Sequence, residues 1–447
     1  MLQLLALWFV LLVALVAFAI GKPRDGGALT LAYFLGLSLI HVPGVLAYLG
    51  STPGSLEFDN TYLGFKATLL GMSAFVAGAI SIRAMNGRQA GPEGVSLPAA
   101  AFERLGWRMI AGGIIAYFVL MPVAGYVPSL TSVISSMATM LILGFWLRLY
   151  GANVAHNQPR TIATLALMPL LPLGTLVMGG FIGYGINWVI SVVAFLYVIA
   201  RKRIWFYLAT PLVVFLGLSL FVTYMGQRNG IRDVVWNQNA GLIDRFDRVS
   251  AIVTDFQLLD LNSPEHTDAL DGRLNQNFLV GAGISRHDSG LSDYVYGATV
   301  PLWVIVPRAI WPDKPAVGGS GDLVGDFTGI AFAQGTSVGV GQVLEFYMDF
   351  GMLGVVLGFF VFGAALKWLD LRIMQGLVTG DLRQVVLFAL PGLTLLQPGG
   401  ALMEILIAMV GASVGANVLL YFKFFGGPAP RPSPARGFLP KREMTGQ

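Results

Sequence analysis

The chain has 447 residues, of which 55% are hydrophobic and only 12% carry a charge. A soluble domain carries about 25% charged residues, so this composition excludes an ordinary soluble fold and predicts an all-α polytopic membrane protein. The net charge is +4, and the absence of cysteine excludes disulfides, thiol nucleophiles and zinc–thiolate sites.

Eleven apolar stretches approach the length of about 20 residues that a bilayer crossing requires, which predicts about 11 transmembrane helices. Two pairs of spans turn tightly, one at Met178-Gly179-Gly180 and the other at Gln397-Pro398-Gly399-Gly400, where the first arm is short. The predicted spans cover residues 2–20, 28–49, 64–84, 108–127, 129–149, 161–178, 180–200, 204–225, 351–369, 384–398 and 401–422.

Basic residues lie at alternate connections between these spans, and Lys66 is the exception. With eleven spans all these connections face one side, which the positive-inside rule makes cytoplasmic. We therefore predict an outer N-terminus and a cytoplasmic C-terminus, and we ascribe the basic excess to topology rather than to nucleic-acid binding. The residues concerned are Lys22, Arg24, Arg83, Arg88, Arg104, Arg108, Arg148, Arg160, Arg201, Lys202, Arg203, Lys367, Arg372, Arg383, Lys423, Arg431, Arg436, Lys441 and Arg442.

The spans divide the chain into four parts. Residues 1–225 hold eight spans, 226–350 form one large outer loop, 351–425 hold three spans, and 426–447 form a Pro-rich cytoplasmic tail that we expect to be disordered. No internal repeat is evident, so the inverted-repeat pattern of many transporters is not found.

The large loop holds 15 of the 24 acidic residues and 8 of the 28 basic ones, and seven of those eight are arginines. Loops this long inside a compact fold usually carry function. Within it, residues 244–259 have helical spacing, and Arg245 and Arg248 share one edge of that helix. The buried face of this helix is predicted to contain Phe246, Val249, Val253 and Phe256.

Two further parts of the loop have a distinct composition. Residues 298–306 are apolar but too short to span, and Trp303 and Trp311 bracket them, which favours an interfacial or re-entrant element. The Gly-rich stretch Gly318–Gly341 is typical of a mobile segment.

Two motifs stand out. Residues 307–315 read Pro-Arg-Ala-Ile-Trp-Pro-Asp-Lys-Pro, so rigid prolines and a tryptophan flank Arg308, Asp313 and Lys314. Residues 341–354 contain Glu345, Tyr347 and Asp349; the two carboxylates share one helical face if the ninth span begins early.

The loop arginines have two interpretations. Any single one can pair with a lipid phosphate or a loop aspartate. As a set they fit a phosphate ligand at the outer membrane surface, because arginine binds phosphate oxygens in a bidentate manner and stays charged. The residues that we predict to bind a lipid-linked pyrophosphate are Arg245, Arg248, Arg308 and Lys314.

Candidates for a general base are Glu345 and His287. Glu345 can instead be an acid near the N-terminus of the ninth span that stabilises the helix macrodipole. This alternative is more strongly favoured for Asp349 than for Glu345. His287 and His266 can instead be ordinary hydrogen-bonded loop histidines. Glu404, the one acid inside a predicted span, is a functional candidate or a helix cap. No cluster has metal-ligand spacing, and no phosphate-loop pattern is present.

The architecture and the two motifs together resemble the Wzy-type oligosaccharide repeat-unit polymerases of bacterial O-antigen and exopolysaccharide assembly. The residues that carry the resemblance are Pro-Arg-x-x-Trp-Pro-Asp-Lys-Pro at 307–315 and Glu-Phe-Tyr-x-x-Phe-Gly-x-x-Gly at 345–354. As motif the resemblance covers about residues 280–360, and as topology it covers the whole chain.

The resemblance implies a metal-independent glycosyltransferase with a membrane-embedded, GT-C-like fold, one large periplasmic loop, and a location in the bacterial inner membrane. Its substrates would be undecaprenyl-pyrophosphate-linked glycans, with no cofactor, and its partners would be the lipid bilayer, a flippase and a chain-length regulator. Arginines would stabilise the leaving pyrophosphate, and a carboxylate or histidine would deprotonate the acceptor hydroxyl. The family favours arginines in two periplasmic loops, whereas here one loop holds nearly all of them.

Three alternatives stay open. An O-antigen ligase would share fold and donor but transfer the glycan to lipid A core, and it would use a loop histidine. A flippase or other transporter would need polar residues at several mid-membrane positions. A non-catalytic scaffold of an envelope machine would tolerate loss of Arg308, Arg248 and Glu345.

Overall fold

The computed structural model describes residues 1–21, 25–49, 53–86, 97–124, 128–200, 204–236, 241–294, 311, 321–332 and 338–422. This part of the chain is helical and contains no β-strand. The helices are α1 Leu2–Gly21, α2 Ala28–Leu46, α3 Leu56–Asn86, α4 Ala99–Ile114, α5 Met121–Ala124, α6 Pro128–Met137, α7 Met140–Val154, α8 Gln158–Ala166, α9 Leu170–Gly179, α10 Gly183–Ile199, α11 Ile204–Val235, α12 Leu242–Thr254, α13 Pro264–Leu274, α14 Gln276–Asp288, α15 Gly321–Thr328, α16 Gln342–Thr379, α17 Leu382–Thr394 and α18 Leu402–Tyr421, with a π-helical turn Ile115–Leu120 between α4 and α5.

Nine stretches of the described residues are long and apolar enough to cross a membrane. Two shorter apolar helices, α10 and α17, occupy the seventh and tenth predicted spans. The expectation of an all-α polytopic membrane protein is therefore confirmed. The count of eleven spans stays a prediction, because α10 and α17 are each shorter than a full crossing.

The bounds 226–350 of the large outer loop stay a prediction, although helices extend into this range from both sides. Helix α11 continues past Met225 to Val235, and α16 begins at Gln342 rather than near 351. The early start of α16 confirms that Glu345 and Asp349 lie on one helix. Non-helical backbone at Phe350 and Gly351, where φ is 62° at the glycine, then separates the first two turns of α16 from its long apolar part.

Within the loop, α12 confirms the predicted helix and the burial of Val249 but corrects the rest of the predicted face; the Val253 side chain lies outside the described residues. The buried residues are Val249 and Ile252, whereas Phe246 and Phe256 are exposed and the helix ends at Thr254. Both edges of α12 are apolar, so hydrophobic spacing alone could not select the face that packs on α11 and α9.

The Gly-rich stretch is also corrected, because part of it forms helix α15. Val324 and Phe327 of α15 are fully buried and pack beside α14. Phe327 is a large aromatic residue that is buried in this contact, and the high glycine content of the stretch did not indicate that burial.

Helix α14 fits closely against the first turns of α3. A side chain at Gly64 would overlap the backbone of Asn277, and one at Gly281 would overlap the backbone of Asn60. Asn277 also binds α2: its Oδ1 accepts from His41 Nδ1 at 2.7 Å, and its Nδ2 donates to the carbonyl of His41 at 2.6 Å. These bonds anchor a loop helix into the membrane bundle.

At one end of the bundle, loop helices and turns contact the ends of several membrane spans. Tyr48, just after α2, donates to Asp271 of α13 at 2.9 Å. Trp236, just after α11, donates to the carbonyl of Gly179 in the α9–α10 turn at 3.3 Å. The backbone N–H of Gln342 donates to the carbonyl of Pro398 in the α17–α18 turn. We call this the loop end.

The opposite end contains a buried polar contact between α16 and α2. Asp370 accepts from the backbone N–H groups of Leu29 and Thr30 at 2.9 and 3.0 Å, which caps α2 from a distant part of the chain. Lys367 donates to the carbonyls of Asp25 and Gly26, both at 3.0 Å.

Several predicted features lie outside the described residues. They are Arg308, Asp313 and Lys314, the apolar segment 298–306 and the Pro-rich tail 426–447.

Candidate functional site

Three arginines meet at the loop end, contributed by α11 and α13. Arg228 and Arg232 lie one turn apart near the end of α11, and Arg273 lies in the last turn of α13, in electrostatic range of both. Arg248 of α12 lies on the opposite face of α11, where its guanidinium occupies the space that a side chain at Gly230 would fill. We call Arg228, Arg232 and Arg273 the arginine cluster.

Aromatic residues build the walls of the cluster. The Arg232 guanidinium lies 4.6 Å from the ring centre of Phe181 and 5.0 Å from that of Trp236. Tyr224 lies beneath, buried, with its hydroxyl donating to the carbonyl of Gly180 at 2.9 Å. Cation–π contacts hold Arg232 in place, and its guanidinium also forms a hydrogen bond with the Tyr224 hydroxyl.

The cluster concentrates positive charge that the described residues do not neutralise. Partial burial and the neighbouring guanidiniums of Arg228 and Arg232 lower the pKa of Arg273 from its ordinary value. None of the three arginines forms an ion pair in the described part of the chain. The Nε atom of Arg232 is buried and has no hydrogen-bond partner there. A bound oxyanion would supply the negative charge and the hydrogen-bond acceptor that this arrangement lacks.

The sequence analysis did not select the three members of this cluster. Arg248 and Arg245, which it did select, lie one turn apart on α12, and the Nε of Arg245 is buried without a partner among the described residues. The signal was present, since two arginines at i and i+4 directly follow a predicted span.

A second group of polar residues lies where α14 ends and α16 begins. His287 Nδ1 lies 2.8 Å from the carbonyl oxygen of Ser292. A carbonyl only accepts, so Nδ1 carries the proton and Nε2 keeps its lone pair. The ring stacks at 4.3 Å from Tyr294 and meets Tyr347 edge-on at 6.0 Å. His287 is therefore held in the tautomer that a general base requires.

Glu345 is engaged in a structural contact. Its side chain is buried, and its Oε2 accepts from the backbone N–H of Leu402, the first residue of α18, at 2.5 Å. The helix-terminus alternative thus fits Glu345, although the helix concerned is α18 rather than its own.

Asp349 lies one turn further along α16, immediately before the break at Phe350. It is 8% exposed, and its Oδ1 is buried without a hydrogen-bond partner in the described part of the chain. Tyr347, on the other side of the helix, packs against Phe327 and His287. Asp349 is the more available acceptor of the two carboxylates.

Glu404 and His266 have contrasting surroundings. Glu404 is exposed in the first turn of α18, in electrostatic range of Tyr184 and Glu345. His266 is buried: its Nδ1 accepts from the backbone N–H of Asp260 at 3.1 Å, and Nε2 faces Gln257 Oε1 at 3.1 Å. Both nitrogens of His266 are occupied, as expected for a structural loop histidine.

The predicted arginines and the residues around His287 lie on different helices. Arg245 and Arg248 lie on α12, which packs on α9 and α11, while His287, Tyr347, Glu345 and Asp349 belong to α14 and α16. Among the described residues no group of three or more His, Asp or Glu side chains has the geometry of a metal site.

Comparison with known proteins adds no assignment: no family model, curated protein or solved structure matches the chain.

Proposed function

We propose that the protein polymerises undecaprenyl-pyrophosphate-linked oligosaccharide repeat units at the periplasmic face of the bacterial inner membrane. The observation that carries the proposal is the arginine cluster, an unneutralised set of three guanidiniums at one end of a membrane bundle. Guanidiniums bind phosphate oxygens in bidentate geometry, and a lipid anchor would place a diphosphate at that depth. The proposal includes a GT-C-like architecture and a count of eleven transmembrane spans.

In the proposed reaction the acceptor is one lipid-linked repeat unit, and the donor is a growing glycan on lipid pyrophosphate. A hydroxyl oxygen of the acceptor sugar attacks the anomeric carbon of the donor. The bond from that carbon to the pyrophosphate oxygen breaks, and its electron pair leaves with the pyrophosphate. The arginine cluster stabilises the developing charge, and the hydroxyl proton passes to a base.

We assign the base to His287 rather than to Glu345. The protonated Nδ1 of His287 leaves Nε2 able to take a proton, whereas the Glu345 carboxylate is buried and bound to Leu402. Asp349, with a free buried oxygen, can orient the acceptor sugar by accepting a hydrogen bond from a neighbouring hydroxyl.

The test is the length of lipid-linked glycan in a strain that lacks the gene. We expect single repeat units to accumulate on the lipid, and complementation with the wild-type gene to restore long chains. Complementation with Arg232→Ala should not restore them, whereas Arg160→Ala, which removes an exposed arginine that pairs with Glu103, should. Normal long chains in the deletion strain would refute the proposal.

The second candidate is an O-antigen ligase, which the His287 tautomer also suits. The same strain separates the two functions. Loss of a ligase would leave long glycans on the lipid carrier and none on lipid A core, whereas loss of a polymerase leaves single units.

A further inference from the structure

A non-helical segment of the large loop, residues 256–261 between α12 and α13, lies against the membrane helix α11. The backbone N–H of Gln257 donates to Thr223 Oγ1 of α11 at 3.0 Å. The backbone N–H of Leu259 donates to Ser219 Oγ, one turn away from Thr223, also at 3.0 Å. The segment therefore runs along α11 in the direction that leads away from the arginine cluster.

The segment is fixed on both sides and still presents apolar side chains outward. His266 bonds to the segment at two positions, as described above. Leu259 points inward and packs against the buried residues between α9, α11 and α12. Leu258 is 59% exposed and Leu261 is 54% exposed, and Phe256 is exposed as well. Because the backbone is held in place, these side chains form a fixed apolar surface.

The position of this surface along α11 can be compared with the thickness of a bilayer. Helix α11 begins at Ile204, directly after the basic residues 201–203. At 1.5 Å per residue, Ser219 lies about 22 Å and Thr223 about 28 Å from Ile204. Both belong to the stretch Ala209–Val235 that is long and apolar enough to cross a membrane. A hydrocarbon core is roughly 30 Å thick, so the segment lies at its edge on the side of the loop end.

We propose that residues 256–261 lie in the membrane interface, with Phe256, Leu258 and Leu261 inserted between the acyl chains of a phospholipid leaflet. The acyl chains fit the occupant, because the surface is apolar and lies at their depth. Extended backbone can reach this depth because α11 hydroxyls accept from its N–H groups. Asp260 would lie among the head groups; it is exposed and accepts from the backbone N–H of Asn262 at 2.9 Å.

The contact has a consequence for the arginine cluster. Helix α13 begins at Pro264, directly after the segment, and carries Arg273 in its last turn. A segment held in the membrane interface would fix the height of α13, and hence of Arg273, above the lipid head groups. The insertion itself does not require catalysis and does not rest on the proposed function.

The experiment uses the purified full-length protein in vesicles of phosphatidylcholine. The chain has no cysteine, so Leu258→Cys introduces a single thiol, which is labelled with the fluorophore NBD. We expect a lipid nitroxide placed near the head group to quench this label at least about twofold, and more strongly than a nitroxide at the end of the acyl chain. Aqueous iodide should quench it weakly. Strong quenching by iodide without quenching by either nitroxide would overturn the proposal.

Ile243→Cys is the matched control. Ile243 belongs to the same loop and is an exposed apolar residue, but it lies near the start of α12. Helix α12 passes Gly230 at Arg248, about 16 Å further along α11 than Ser219, and Ile243 lies beyond that point. A label at Ile243 should be quenched by iodide and by neither nitroxide. Leu261→Cys provides a second position that should behave as Leu258→Cys does.

A second copy of the chain is the rival occupant of this surface. Efficient disulfide formation between two copies of Leu258→Cys would show that the segment is a subunit interface, and would overturn the proposal. Because these readouts measure position alone, they can fail while the deletion strain still shows loss of polymerisation, and the reverse also holds.

Discussion

At the scale of single residues, the position of Arg248 depends on a glycine. Gly230 leaves the space that the Arg248 guanidinium occupies beside α11. We predict that Gly230→Val displaces Arg248 and weakens lipid diphosphate binding about tenfold, because one charge-assisted contact is lost. The matched control is Gly226→Ala, one turn earlier on α11, where an added Cβ meets no atom within 4 Å. Binding can be measured in detergent; equal affinities for the two variants would count against the position of Arg248.

His287 and Glu345 can be separated by their hydrogen bonds. Glu345→Gln keeps an oxygen that can accept from the Leu402 N–H but removes the negative charge. We expect it to retain polymerisation within a few fold, whereas His287→Ala should lose about 100-fold or more, the usual contribution of a general base. The measurement is glycan chain growth in a purified system. The reverse result would return Glu345 to the role of base.

At the scale of helices, carboxylates on α16 cap two other helices, Asp370 for α2 and Glu345 for α18. The bonds from Asp370 are buried and include the Thr30 hydroxyl at 2.7 Å. We predict that Asp370→Ala lowers the free energy of unfolding by about 3 kcal/mol, because buried N–H groups lose a charged acceptor.

Asp381→Ala is the control for that measurement. Asp381 caps its own helix, α17, by accepting from the backbone N–H groups of Arg383 and Gln384 at an exposed position. Its loss should cost about 1 kcal/mol, since water replaces the lost bonds. Thermal unfolding in detergent gives both values, and similar losses for the two variants would contradict the buried cap.

At the scale of the whole molecule, α14 connects the loop to the membrane bundle. We predict that Gly281→Val separates α14 from α3, because the new side chain would overlap the Asn60 carbonyl. Limited proteolysis of the loop should become faster and polymerisation should be lost, while the spans stay folded. Gly272→Ala, at an open position of α13, should leave both unchanged. Unaltered proteolysis of Gly281→Val would show that α14 does not depend on this contact.

The positions of the loop helices follow from composition only in part. The spacing in residues 244–259 predicted α12, but its packed face, with Val249 and Ile252, depended on which side met α11. The glycine content of residues 318–341 predicted a mobile segment. Val324 and Phe327 are instead buried against α14 and lie in a helix. In both cases local sequence leaves two nearly equal states, and a tertiary contact selects one.

The sequence by itself determined that this is an all-helical membrane protein and where its apolar helices lie, because a bilayer requires long apolar segments whatever their neighbours. It also located the charged loop and the helix with Arg245 and Arg248. Only the tertiary structure brought Arg228, Arg232 and Arg273 together, and only it showed that Glu345 caps α18. These groups come from helices far apart in sequence, so their proximity depends on how the helices pack and not on any local pattern.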